Sequence, residues 1–296
     1  MLLLFAAGCG GRSHGTAADD GESRAPLGCL AAADEFLALS AEGDLFAFRV
    51  PTLERRLIAP RVCGGAAINS MAVSGEGGVL LGLQDGSFQA MDSELQCSAP
   101  VPVLNERLAA RDFVSYGMNF VGGDREPEAL FLTLNGIYEN AESTSNYLAT
   151  LDPSSKELQI LDRIRTGPSP IEIAGTPDRR LYGYQSGNYV TPGSVLEIDE
   201  QSGSVIEEVE TDAGLGLGSV ALAVTDDAVY AFGSKASEAY SRVVRVDRTS
   251  RIVKALGNMP FVVTGAGASS CATRAEVPLS PPPAPPTVEG PGPEPR

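Results

Sequence analysis

The chain has 296 residues and a formal net charge of −16, with 22 Lys and Arg against 38 Asp and Glu. No cluster of Lys or Arg breaks that acidic balance, which excludes the cationic face that displaces counterions from nucleic acid. Apolar residues make up 43 %, aromatics 6 % and tryptophan none, while 33 Gly and 21 Pro mark many turns; this suits an all-β fold with an aliphatic core.

Residues 1–9, "MLLLFAAGC", are an apolar run that ends in small residues directly before Cys9. The run resembles the lipobox of bacterial lipoproteins. The resemblance implies that Cys9 takes a diacylglycerol on its sulfur, with palmitate-type acylation, and becomes the mature N-terminus. The run is short and lacks the basic n-region of a signal peptide, which points to a start codon further upstream. No other stretch approaches the roughly 18 apolar residues of a membrane span, so an anchored or soluble protein is expected.

Residues 10–28 are Gly, Ser, Ala and acidic residues without periodicity, the composition of a flexible tether. The only histidine, His14, lies in it. A folded domain without histidine cannot run a Ser–His or Cys–His relay and offers no imidazole to zinc or copper. No cofactor, metal or catalytic residue is expected.

From Cys29 onward the chain alternates apolar and polar residues at strand period. "EFLALS", "LFAFRV" and "RRLIAP" make three strands, and "INSMAVS", "VLLGLQ", "FQAMD" and "CSAPVPV" make four. The Asp85-Gly86 pair between two of these runs is a hairpin signal. A third set is "SYGMNFV", "ALFLTLN", "NYLATLD" and "ELQILDRI", with insertions at 122–128 and 136–145. A fourth is "PIEIAGT", "RRLYGYQ", "SVLEIDE" and "SVIEEVE", and a fifth is "SVALAVT", "AVYAFGS", "RVVRVD" and "IVKALG". "FVVTGAGAS" then stands alone. If that spare strand completes the first set, residues 29–272 form a β-propeller of five four-stranded blades closed by strands from both chain ends. Six blades is the main alternative, and a β-sandwich or pair of small barrels is another. Residues 273–296 form a proline-rich, disordered tail.

A repeated phrase runs through the sets: a strand, an Asp, a polar turn and a second strand. Asp152, Asp199 and Asp247 lie 47 and 48 residues apart, near the length of one blade. Asp92 heads a looser copy, and Arg49 stands in its place in the first set. These carboxylates could ligate a cation or act in hydrolysis, but each opens a turn rich in Ser, Gly or Pro, where an Asp side chain accepts its own turn's N–H groups. The phrase resembles the Asp-turn hairpin of lactonase-like and quinoprotein-like β-propellers. With the lipobox, the acidic tether, "INSMAV" and "GAGASSCA", the whole pattern resembles bacterial propeller-like lipoproteins of that superfamily. The resemblance carries no catalytic residues over, and the absence of blade tryptophans speaks against a quinone cofactor.

Five cysteines read as one plus four. With Cys9 set aside as lipid acceptor, four cysteines allow three connectivities. The ring closure brings Cys29 before the first strand near Cys271 after the last, so Cys29–Cys271 and Cys63–Cys97 are expected. Tyr182, Tyr184, Tyr189 and Asn188 could offer aromatic faces to a sugar or peptide, although strand alternation places Tyr182 and Tyr184 on one face, where packing is the commoner outcome. "SGEGG" at 74–78 and "TGAGASS" at 264–270 are Gly-rich but open no helix, so a phosphate cradle lacks its helix N-terminus.

The expected protein is a monomeric propeller anchored by lipid to the cell envelope, at the outer membrane or the exported face. It would bind a protein or glycan partner, or serve as a scaffold, without catalysis. The alternative is a hydrolase of glycans or lactones with paired Asp and Glu in the propeller funnel.

Overall fold

The structure is a computed structural model, and it describes residues 35–268 except 51, 76, 93, 103–112, 123–126, 138–143, 168, 188–191, 212–214 and 216–217. Cys9, His14, Cys29, Cys271, Asn188 and Tyr189 lie outside the described residues, as do the expected signal segment, tether and tail. Twenty strands form five antiparallel four-stranded sheets, the blades of a five-bladed propeller.

From the axis outward, blade 1 is β20 (Val263–Gly267), β1 (Glu35–Ser40), β2 (Leu45–Arg49) and β3 (Glu54–Ala59). Blade 2 is β4 (Ile68–Val73), β5 (Val79–Leu83), β6 (Ser87–Met91) and β7 (Val101–Pro102). Blade 3 is β8 (Phe113–Val121), β9 (Ala129–Ile137), β10 (Thr144–Asp152) and β11 (Glu157–Ile164). Blade 4 is β12 (Ile171–Gly175), β13 (Leu181–Gln185), β14 (Ser194–Ile198) and β15 (Val205–Glu210). Blade 5 is β16 (Ser219–Val224), β17 (Ala228–Ser234), β18 (Ser241–Asp247) and β19 (Val253–Met259).

The spare strand of the sequence is thus the innermost strand of the first blade. β20 pairs antiparallel with β1, with Leu37 opposite Gly267 and Ala38 opposite Ala266. Five blades account for every described strand, and the six-blade alternative is not realised among the described residues. One expected strand is shortened. Among its described residues "CSAPVPV" pairs as a strand through Val101 and Pro102, with an isolated bridge from Cys97 to Met91 and the Ser98 N–H given to Ala90, because Pro100 and Pro102 have no N–H to give a ladder.

The core consists of five apolar layers, one between each pair of neighbouring blades. Period-2 alternation is what divides each blade between two layers. On β1, Leu37 and Leu39 pack toward blade 2, while Phe36 and Ala38 pack toward blade 5. Central strands are therefore buried on both faces, which is why β5 and β17 are buried along their whole length. Outermost strands keep one wet face, as in the alternating half-buried and exposed residues of β15.

Aromatic pairs span the layer between blades 5 and 1. Phe36 lies 5.1 Å from Tyr230, and Phe48 lies 5.7 Å from Phe232 edge-on, each pair spanning blades 1 and 5. Aromatic pairs in such geometries contribute about 0.5–1.5 kcal/mol beyond their burial, which adds to the packing of β1 and β2 against blade 5, from whose last strand the chain continues into β20 of blade 1.

Inner strands approach closely because glycines stand where a Cβ would collide. A Cβ at Gly265 would sit 2.6 Å from Met71 Cβ, and one at Gly175 only 2.0 Å from the Phe120 carbonyl oxygen. The "TGAGASS" glycines within β20 thus serve packing against β4.

The Asp phrase is a turn cap. The Asp152 carboxylate accepts the N–H groups of Ser154 and Ser155 at 2.8 and 3.2 Å, and Asp199 those of Gln201 and Ser202 at 3.1 and 2.8 Å. Asp247 holds Thr249 and Ser250 in the same way, and Asp92 holds Glu94 and Gln96. Four residues after each of Asp152, Asp199 and Asp247 comes a left-handed residue, Lys156, Gly203 and Arg251, and Leu53 holds that place after Arg49. The repeat is therefore one of backbone shape as well as sequence. Hydrogen bonds from its own turn hold each of Asp152, Asp199 and Asp247 below the usual aspartate range, Asp247 to about 2.

Candidate functional site: an axial cavity

All five inner strands run in the same direction, and their N-terminal ends surround a cavity of about 440 Å³ on the ring axis. Its described wall includes Ile68 and Asn69 of β4, Gly117 of β8, Ile171 and Glu172 of β12, Ser219 and Val220 of β16, and Thr264 of β20. Thr133 and Asn135 of β9 join them, with Ala41, Gln84 and Ser186 from turns that follow the second strands of blades 1, 2 and 4.

The wall is polar and almost uncharged. Glu172 is the single ionisable side chain among its described residues, and no Lys, Arg or aromatic ring stands there. In the sequence Glu172 sits in "IEIAG", between two isoleucines that pack into the layer with blade 3.

Hydroxyls lace the inner strands together around this carboxyl. Ser70 of β4, fully buried, donates its hydroxyl to Glu172 Oε1 at 2.7 Å and accepts the N–H of Met118 at 3.2 Å. Thr133 donates to the carbonyl of Ile171 at 2.5 Å and accepts the N–H of Gly117 at 3.1 Å. Ser219 donates to the carbonyl of Val263 at 3.0 Å, joining blade 5 to blade 1. Asn135 donates to Asn146, whose own amide reaches the carbonyl of Ser169 at 2.9 Å and fixes the approach to β12.

Gly117 provides the seat for Glu172. A Cβ at position 117 would come within 2.8 Å of Glu172 Oε2 and 3.0 Å of Glu172 Cα. Glu172 as a residue keeps some accessible surface, and that surface is cavity wall, while its carboxyl is enclosed by protein. Burial pushes its pKa well above the ordinary glutamate range, and the hydrogen bonds from Ser70 and Met118 pull the other way without prevailing. The enclosed side-chain carbonyl of Asn69, on the same cavity wall, has no hydrogen-bond donor.

The residues singled out from the sequence lie elsewhere. Tyr182 and Tyr184 are buried in the layer between blades 4 and 5. The Tyr184 hydroxyl is 3.2 Å from Thr211 Oγ1, and burial pushes its pKa to about 12. The Tyr182 hydroxyl accepts Arg248 Nε at 2.9 Å, and the guanidinium lies 5.2 Å from its ring centroid. Both rings are packing residues, not a ligand surface, because the twofold period of β13 turns them together into the seam. Their neighbours Arg251 and Glu207 form an ion pair that ties the Asp247 turn to blade 4.

Cys63 and Cys97 form a disulfide with Cα atoms 5.4 Å apart. It joins the left-handed turn between blades 1 and 2, at Val62–Gly65, to the connection between β6 and β7. The "SGEGG" turn closes β4 and β5 at the end away from the cavity, with the Gly75 N–H held by Glu128 at 2.7 Å. The insertion at 122–128 also leaves from that opposite end, whereas the strand ends flanking 136–145 face the cavity side. No group of three or more His, Cys, Asp or Glu side chains that could hold a metal occurs among the described residues.

Sequence reasoning missed Glu172, although a signal was available. Of the five inner strands, "INSMAV", "FVSYGMNFV", "SVALAV" and "VTGAG" carry no charge, and Glu172 is the one charged residue in the set.

No protein-family model matches the chain. No curated protein matches it either. Among solved structures, the propeller of Dos1 aligns over 81 % of this chain and 72 % of its own, at 11 % identity and a TM-score of 0.42. Hydrazine synthase of Kuenenia stuttgartiensis aligns over 83 % and 70 %, at 14 % identity and a TM-score of 0.41. A Bacteroides uniformis protein assigned as a 6-phosphogluconolactonase aligns over 77 % and 83 %, at 12 % identity and a TM-score of 0.39. Likenesses this distant carry no argument about activity; the propeller architecture stands on the strand pairing of the chain itself.

Proposed function

We propose that the chain is a lipid-anchored module of the cell envelope whose propeller binds a glycan or protein partner at the axial cavity, with Cys9 as the anchor and residues 10–28 as the tether. The observation that carries this reading is the wall of the cavity: neutral hydrogen-bonding side chains gathered around one carboxyl, in a space of about 440 Å³. Polar groups are costly to enclose unless something meets them, and the cavity lies within the roughly 300–1,000 Å³ of small-molecule sites. The Cys63–Cys97 disulfide supports an exported, oxidising compartment.

A carboxylate-based hydrolase is the second reading. One observation favours it: an enclosed Glu172 that holds its proton above the ordinary range is suited to general-acid work. Such chemistry calls for a second carboxylate about 5–10 Å away, and the described wall contains none.

The experiment is a glycan array probed with the purified chain, paired with turnover assays on glycans and lactones. Retained ligand without turnover supports the binding module. Turnover that Glu172→Gln abolishes would replace it with the hydrolase.

A further inference from the structure

The axial cavity and the two ends of the described chain lie at opposite poles of the ring. The described wall of the cavity reaches no further than the second residue of four inner strands: Asn69 of β4, Glu172 of β12, Val220 of β16 and Thr264 of β20. From there β20 runs away from the cavity and reaches the other pole at Gly267. β1 lies antiparallel to it, with Leu37 opposite Gly267, so the chain enters the fold at Glu35 on that same pole and meets the cavity only at Ala41. Neighbouring inner strands are close-packed there, as glycines show: a Cβ at Gly267 would sit 2.5 Å from Val73 Cγ2, and one at Gly175 2.0 Å from the Phe120 carbonyl oxygen. The cavity belongs to one pole, and both connections to the rest of the chain leave from the other, the exit pole.

A tether attached at the exit pole acts on the direction in which the cavity points. A flexible chain as long as residues 10–34, 25 residues, spans about 25–30 Å root-mean-square. To lay the cavity pole on a bilayer, that chain must first pass outward beyond β2 and β3, about 10 Å at strand spacing. It must then climb the height of the blade, about 20 Å for the six residues of β1. The two detours together use up the whole span. With the exit pole toward the bilayer no such stretch is needed, and chain entropy favours that pose. The net charge of −16 keeps the body of the protein from lying on an anionic leaflet, so the tether and not surface contact sets the direction.

We propose that the anchored propeller turns its cavity pole away from the membrane, so that the axial cavity takes its ligand from the aqueous side and not from the anchoring leaflet. This rests on the lipid-anchor reading above and gives it a direction. The ligand that such a site fits stands clear of the bilayer, and a lipid headgroup of the same leaflet is out of its reach.

The chain has no tryptophan, so a single introduced indole reports alone. Asp226→Trp puts it in the exposed turn between β16 and β17, at the exit pole, and Glu42→Trp in the exposed turn between β1 and β2, at the cavity pole. Energy transfer from each indole to dansyl-labelled headgroups is measured on phosphatidylcholine vesicles. The chain is held there first by the lipid that a bacterial host attaches at Cys9, then, from Gly10 onward, by a histidine tag on nickel-chelating lipid. Transfer from the Asp226→Trp protein is expected to be at least about twofold the greater, since the height of a blade, about 20 Å, separates the two turns. Equal transfer, or more from the Glu42→Trp protein, would overturn the proposal. A second measurement needs no variant: a glycan identified by the array should bind the vesicle-held chain as tightly as the free chain, and weaker binding on vesicles would overturn the aqueous-side claim. A host that leaves Cys9 without lipid would overturn the anchor reading, while the tagged chain still tests the direction that the fold imposes.

Discussion

The hydroxyl of Ser70 donates to the carboxyl of Glu172 at 2.7 Å across 102 residues of chain, joining blade 2 to blade 4 beside the ring axis. That carboxyl belongs to the one ionisable side chain among the described residues of the axial cavity wall. Its titration follows from that setting.

Folding raises the Glu172 pKa above the ordinary value of 4.5, so the folded state favours the protonated form. The stability contributed by this group is full below that value and is lost as pH rises through the folded pKa. Glu172→Gln keeps the acceptor for Ser70 and removes the titration. The variant should gain stability relative to the unaltered chain as pH climbs through that window, and urea unfolding across the range measures it. A difference between the two that does not vary with pH would contradict the assignment.

Gly175→Ala tests how tightly the inner strands are packed. Its Cβ would meet the Phe120 carbonyl oxygen at 2.0 Å and Val121 Cγ2 at 2.6 Å, and a backbone carbonyl cannot swing aside as a flexible side chain can. The expected loss is at least about 3 kcal/mol, the upper part of the overpacking range. Chemical denaturation would show it, and a loss below about 1 kcal/mol would mean that β8 and β12 are not held so closely.

The Cys63–Cys97 disulfide closes a separation of 34 residues. In the chain-entropy account a loop of that size contributes on the order of 3–4 kcal/mol by constraining the unfolded chain. Replacing both cysteines with serine should lower stability by up to that amount, and a reducing agent should destabilise the unaltered chain alone. Equal sensitivity of the two proteins to reductant would contradict this.

Asp199→Ala removes the acceptor for two turn N–H groups and for the Ser202 hydroxyl. By analogy with other backbone caps the cost is about 1 kcal/mol, reduced by the exposure of the turn. The Asp199 pKa is held below its ordinary value, so the stability it contributes is present above the unfolded pKa and lost as pH falls through the folded one. The variant should therefore differ from the unaltered chain at neutral pH and converge with it in acid, as thermal melts at both pH values would record.

Much of the fold was legible because it is periodic. Alternation marks strands, Asp152, Asp199 and Asp247 mark one hairpin per blade, and the spare strand near residue 263 completes the first blade. The turn caps were readable for the same reason, since an Asp before Ser and Gly has its acceptor within reach of its own turn. Glu172 was not readable by these rules. A charged residue between Ile171 and Ile173 reads as the wet side of an ordinary strand, and only the closing of the ring turns that side onto an axis. The burial of Tyr182 and Tyr184 was legible, since their spacing on one strand puts both on a face where packing is the commoner outcome, and the structure buries both between blades 4 and 5.

The account places the binding site in the axial cavity, and Ser186→Trp tests that placement directly. Ser186 lies on the cavity wall just beyond the end of β13 and is half-buried, so an indole in its place would take up cavity space. Binding of whatever glycan the array identifies should be measured with both proteins, alongside their melting temperatures. The account predicts that the variant melts as the unaltered chain does and no longer binds. Unchanged binding by a folded variant would contradict it and move the functional surface away from the axis.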